Sequence, residues 1–241
     1  AVWLDGDRFA IAGSRGHADA PAFQVFVQLV DSDGALLGEA IDGYFEPAAG
    51  QLFPALAAVA DGSLDLAWLR EEVDQDSQVV HTRLAAGATT PAPLPPTVIA
   101  DSGIDGTAPS FEIGPEGHLY LTFSRSGQIV LRDGADPSAG AAQINFGASG
   151  QLDFSPRVVG APGGGAVFYY GNISGYQNRY LVQPFGFDGS DFELGTGQQL
   201  TASPVPPYPP AVTHLFDDIY FVAWSEGTSP SFVLKGRFVR L

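Results

Sequence analysis

Carboxylates are the residues of this chain whose type and position most suggest chemistry. Asp105, Glu112 and Asp153 lie within four residues of Pro109 or Pro156, each of which opens an apolar segment. Two carboxyl groups ~5–9.5 Å apart can cleave a glycosidic bond, one donating a proton while the other attacks or activates water. Glu112 and Arg157 follow their prolines by three residues and one residue, so they equally suit a structural ion pair. Breaking a buried pair of that kind costs ~3–5 kcal/mol, because one charge is left unpaired.

Other residues suit binding more than catalysis. Tyr176 and Asn178 stand in the polar stretch 171–178, Tyr208 in the Pro-rich stretch 203–210, and Gln51 just ahead of Pro54. Tyrosine among Asn, Ser and Gly adds contact area at little entropic cost, as adaptable binding loops require. The Pro-rich stretch reads equally well as an extended connector. Asp31-Ser32-Asp33-Gly34 begins like a calcium loop, which makes Asp31 and Asp33 metal candidates. The later ligand positions hold Ala35 and Asp42, so a simple Asp-Gly hairpin turn explains the pattern better. His17, His81, His118 and His214 share no metal-ligand spacing. The chain has no cysteine for a thiolate site or nucleophile. It carries no phosphate loop or nucleophile elbow, and no cofactor is implied.

The elements that must position these residues emerge as a repeat. Pro54 to Trp68, Pro109 to Phe123, Pro156 to Tyr170 and Pro210 to Trp224 each run 14 positions from proline to aromatic. A turn lies midway in each: Asp61-Gly62, Glu116-Gly117, Gly163-Gly164 and Asp217-Asp218. After the turn, Leu64/Leu66/Trp68, Leu119/Leu121/Phe123, Ala166/Phe168/Tyr170 and Tyr220/Val222/Trp224 alternate with a period of two, the mark of a strand with one buried face. Return strands are predicted at 78–84, 128–132, 179–185 and 232–239, with short fourth strands at 96–100 and 143–146. The N-terminus, with Phe9 and Ile11 after Asp5-Gly6-Asp7, is a fifth copy. Offsets one and three from each proline are predicted to face a central channel, and the residues before the prolines to ring its mouth.

Five units of about 48 residues in a chain of 241 match propeller blades of three or four strands. The expected fold class is therefore all-β, a five-bladed β-propeller. It forms a single domain with blades near 1–48, 49–103, 104–150, 151–204 and 205–241.

The segments Phe26-Val27-Gln28-Leu29-Val30-Asp31-Ser32-Asp33-Gly34, Gly50-Gln51-Leu52-Phe53-Pro54 and Asp61-Gly62 to Trp68 resemble the blade repeats of large secreted bacterial propeller and adhesin-like proteins. The match is good over residues 24–68 and partial elsewhere. This resemblance implies a propeller that is extracellular, periplasmic or at the cell surface, and it implies no reaction, since one fold serves many roles.

Composition narrows the partners. With 27 carboxylates against 11 Lys and Arg, the formal charge is −16, which opposes binding to nucleic acid or anionic membranes. No apolar run approaches the ~20 residues of a membrane span. The sequence favours a non-catalytic binding or assembly module that recognises a protein partner or a glycan through a propeller face and its loops. Two alternatives stand beside it. One is a glycan-active, glycosidase-like propeller using Asp105, Glu112 and Asp153. The other is an accessory subunit peripheral to a larger membrane-associated complex.

Overall fold

The computed structural model describes residues 1–17, 20–72, 77–88, 90, 95–100, 109–134, 141–144, 153–173, 177–201, 210–228 and 231–241. These residues form strands and turns, with no helix among them and so none long and apolar enough to cross a membrane. The strands make five antiparallel sheets, one per repeat, and the fold is an all-β, five-bladed propeller.

Blade one holds β1 (Val2–Trp3), β2 (Arg8–His17), β3 (Ala20–Asp31) and β4 (Ile41–Asp42). Blade two holds β5 (Gly50–Ala58), β6 (Leu64–Glu71), β7 (Gln78–Leu84) and β8 (Thr97–Ala100). Blade three holds β9 (Ser110–Ile113), β10 (Leu119–Arg125), β11 (Gln128–Asp133) and β12 (Ala141–Ile144). Blade four holds β13 (Asp153–Ala161), β14 (Gly164–Ile173), β15 (Gln177–Phe187), β16 (Phe192–Leu194) and β17 (Gln198–Gln199). Blade five holds β18 (Ala211–Phe216), β19 (Ile219–Thr228) and β20 (Ser231–Arg240). The chain divides into two compact units, Ala1–Phe111 and Glu112–Leu241.

Sheet faces supply the cores. In the first unit Ala10, Val25 and Val27 of blade one pack against Leu56, Leu66, Trp68 and Val80 of blade two. In the second, Tyr120, Ile129 and Leu131 meet Val158, Val167, Tyr169 and Leu181. The opposite face of blade four places Val159, Phe168 and Tyr180 against Tyr220, Val222 and Trp224. Burying each large apolar side chain contributes ~1.5–3 kcal/mol, so adjacent blades stabilise one another through these alternate positions.

Two expectations are corrected by the register. Leu56 pairs with Leu66 and Val212 with Val222, but Val158 pairs with Val167. The blade-four hairpin closes from Ala161 to Gly164 over two residues, whereas blade two closes from Ala58 to Leu64 over five. A one-residue slip in a period-two strand exchanges its faces. Val167 and Tyr169, not Phe168 and Tyr170, therefore occupy the slots of Leu66 and Trp68. The second correction concerns the third position after each proline. Val159 lies buried in the core shared with blade five, and Ala57 is buried as well, so in blades two and four this position packs between sheets, whereas Thr213 of blade five is exposed.

Candidate functional site

Glu112 occupies that third position on β9 and turns toward blade four, where the Gly160 N–H donates a hydrogen bond to its carboxylate. The approach depends on glycine: a Cβ on Gly160 would lie 2.5 Å from the Gly114 Cα. Burial disfavours the charged form and raises the Glu112 pKa from 4.5 to about 7, against the lowering effect of the Gly160 bond. The neighbouring Tyr220 is pushed up to about 12, first by its own burial and then by the charges of Glu112 and Asp218.

Arg157 is half-buried, and loss of hydration lowers its pKa. Its Nη1 donates to the Pro156 carbonyl at 3.4 Å. Among the described residues no ion pair joins it to Glu112. The reason is strand geometry. Glu112 meets β13 at Gly160, three residues beyond Arg157, a distance of ~10 Å along an extended strand. Asp153 opens the same strand, seven residues before Gly160, or ~20 Å away. The Asp153 backbone thus stands well apart from the Glu112 contact, and the Asp153 side chain lies outside the described residues. Asp105, Tyr176 and Tyr208 lie outside the described residues, as does the Asn178 side chain. The Asn178 backbone pairs with Asn172 across the β14–β15 hairpin.

Gln51 has a different role from the ligand contact expected of it. It is fully buried, its Oε1 accepts from Val25 N at 2.9 Å, and its Nε2 donates to the Tyr44 carbonyl at 2.8 Å. Gln24 does matching work: its Nε2 donates to the carbonyls of Glu46 and Ala49, and its Oε1 accepts from Glu46 N. Together the two amides pin the linker between blades one and two. Asp31 uses Oδ1 to accept from Asp33 N and Ala35 N at 3.0 and 2.7 Å, which organises a turn. No three metal-ligating side chains gather among the described residues.

Two charged clusters escape a reading of the sequence. Asp65 is fully buried on β6, bound by Arg83 through Nε and Nη2 at 2.8 and 2.7 Å and by His81 Nε2 at 2.8 Å. The His81 ring lies 5.5 Å from that of Phe111. Burial alone would raise the Asp65 carboxyl, yet the His81 and Arg83 bonds outweigh it and hold it below 3.8. The available signal is the repeat itself, because Tyr120 and Phe221 fill the same slot in other blades and a charge there needs partners. The second cluster sits where β5 begins. Arg70, opposite Gln51, bonds Glu46 at 2.5 Å, Gln78 at 2.9 Å, and Glu72.

No protein-family model matches the chain, and no curated protein matches it in sequence. Similar solved structures do exist. One is a protein of unknown function from Dyadobacter fermentans, 12% identical with a TM-score of 0.60, covering 98% of this chain and 76% of that one. Another is a GH43 β-1,3-galactosidase, 11% identical with a TM-score of 0.53 over 98% of this chain and 55% of the enzyme. A third is the α-L-arabinanase of Penicillium chrysogenum complexed with arabinobiose, 18% identical with a TM-score of 0.53 over 81% and 64%. The chain therefore spans less than two thirds of each of these two enzymes. At such identities the likeness is one of fold.

Proposed function

We propose that this protein is a glycan-active propeller, placed outside the cytoplasm or at the cell surface, where polymeric carbohydrate is met. The observation that carries the reading is its shared fold with a galactosidase and an arabinanase. Asp105 and Asp153 are the carboxylates assigned to cleavage. Glu112 is set aside, because its place against Gly160 separates it from Asp153 by ~20 Å, far beyond the ~5–9.5 Å of a hydrolytic pair.

A second reading, in which the propeller holds a glycan without cleaving it, is favoured by the use of Glu112 as a contact to the Gly160 backbone rather than as a hydrolytic partner. Incubation with arabino-oligosaccharides and β-1,3-galacto-oligosaccharides tests both, by reducing-end release and by calorimetric binding. The hydrolytic reading expects release that falls ~100-fold or more in Asp153→Asn, the scale of a lost acid or base. Binding without release selects the second reading. The absence of both binding and release overturns the glycan assignment.

A further inference from the structure

The first unit contains a cleft of about 380 Å³ between blades one and two, within the ~300–1,000 Å³ range of small-molecule pockets. Its walls include Leu4, Leu29, Ile41, Leu64, Leu84 and Ala86. The repeat shows what such a place normally holds. Leu4 N bonds Arg8 O at 3.0 Å in blade one, and Gly114 N bonds His118 O at 2.8 Å in blade three. This shared turn makes Ala10 the equivalent of Tyr120. On the facing blade Leu66 pairs with Thr82, and its counterpart Val167 pairs with Gln183. Leu84 and Ala86 are therefore the equivalents of Phe185 and Phe187.

Between blades three and four those positions are packed with rings. Tyr120 lies 5.1 Å from Phe185 and 5.8 Å from Phe187, and Phe187 stacks on Phe192 at 4.5 Å. All three equivalents are buried there. Between blades one and two the smaller Leu84 and Ala86 line an open cleft in place of Phe185 and Phe187, while Ala10, the equivalent of Tyr120, is fully buried in the adjoining core. The charged groups lining the cleft already have partners: Arg8 bonds Asp5 through Nε and Nη2 at 2.8 and 2.7 Å, and Asp61 accepts from Ser63 N and Oγ at 2.9 and 2.5 Å. Two carboxylates against one guanidinium leave an excess of negative charge, which disfavours an anion.

We propose that this cleft binds a small uncharged aromatic molecule, whose ring takes the place held by Phe185 and Phe187 between blades three and four. The site is independent of the glycan reading. The test is a titration of the full-length chain, followed by amide NMR, with benzyl alcohol, cyclohexylmethanol and benzoate. Saturable shifts at Leu4, Gly62 and Leu84 are expected with benzyl alcohol. Affinity for cyclohexylmethanol should be at least fivefold weaker, and benzoate should leave these amides unmoved. Ala86→Phe restores a ring and is expected to abolish the shifts while raising the Tm. Ala88→Leu fills the cleft by a second route if that variant does not fold. Absence of saturation in the wild type, equal binding of the saturated ring, or binding retained in the filled variants overturns the proposal.

Discussion

Glu112→Gln isolates the effect of one half-buried carboxyl on the whole fold. Glutamine keeps the shape and can still accept the Gly160 N–H, but it carries no charge at any pH. The wild-type group titrates near 7 in the folded chain against 4.5 in the reference state. The folded pKa is the higher of the two. The stability tied to this group is therefore full below about pH 4.5 and is lost as pH rises through about 7. At ~1.4 kcal/mol per pH unit, the loss between pH 5 and pH 8 amounts to ~2–3 kcal/mol. Urea unfolding of the full-length wild type and variant at both pH values reads this directly. Comparing the two proteins cancels the titration of every other carboxylate. The variant should gain ~2–3 kcal/mol on the wild type between pH 5 and pH 8. A difference that is the same at both pH values would refute the reasoning.

Asp65→Asn removes the charge that Arg83 and His81 share; with Arg83 half exposed, the loss of these charge-assisted bonds should cost ~1.5–3 kcal/mol in urea unfolding at pH 7. Because the Asp65 carboxyl is held below 3.8, the stability it supplies is present above about pH 4 and lost as pH falls through the folded value. The deficit of the variant should shrink in acid over that window. Gln51→Ala strands the Val25 N–H and the Tyr44 carbonyl, at ~1–3 kcal/mol for each buried unpaired group. Hydrogen exchange at Val25 should accelerate, while any glycan affinity of the protein stays unchanged.

The propeller was legible because its signals are local and repeated. Proline-to-aromatic spacing and period-two alternation mark strand starts and buried faces within each unit, and β7 matches its expected span of 78–84. What escaped was register. The 14-residue spacing from Pro156 to Tyr170 hides a shorter hairpin with a compensating shift, so Phe168 and Val167 exchange faces. The Glu112 contact also depended on register, since neighbouring blades meet with an offset that no spacing along one blade records. Gln51 was misread because a polar residue ahead of a strand looks exposed until the linker folding over it is known. For the candidate site, the carboxylates were visible by type, but the separation of Glu112 from Asp153 depends on where along β13 the β9 residue makes its contact.

Each sheet is built almost wholly from strands that follow one another in the chain, β17 against β15 being the exception among the described pairings. The backbone ladder partners of each strand therefore lie within its own blade. A nascent chain can pair each blade before the next has been synthesised, at ~2–10 s per blade for ~5–20 residues per second. The apolar face of every unfinished blade then waits for its successor during translation, so synonymous changes that slow the ribosome between blades lengthen the interval in which that face can aggregate.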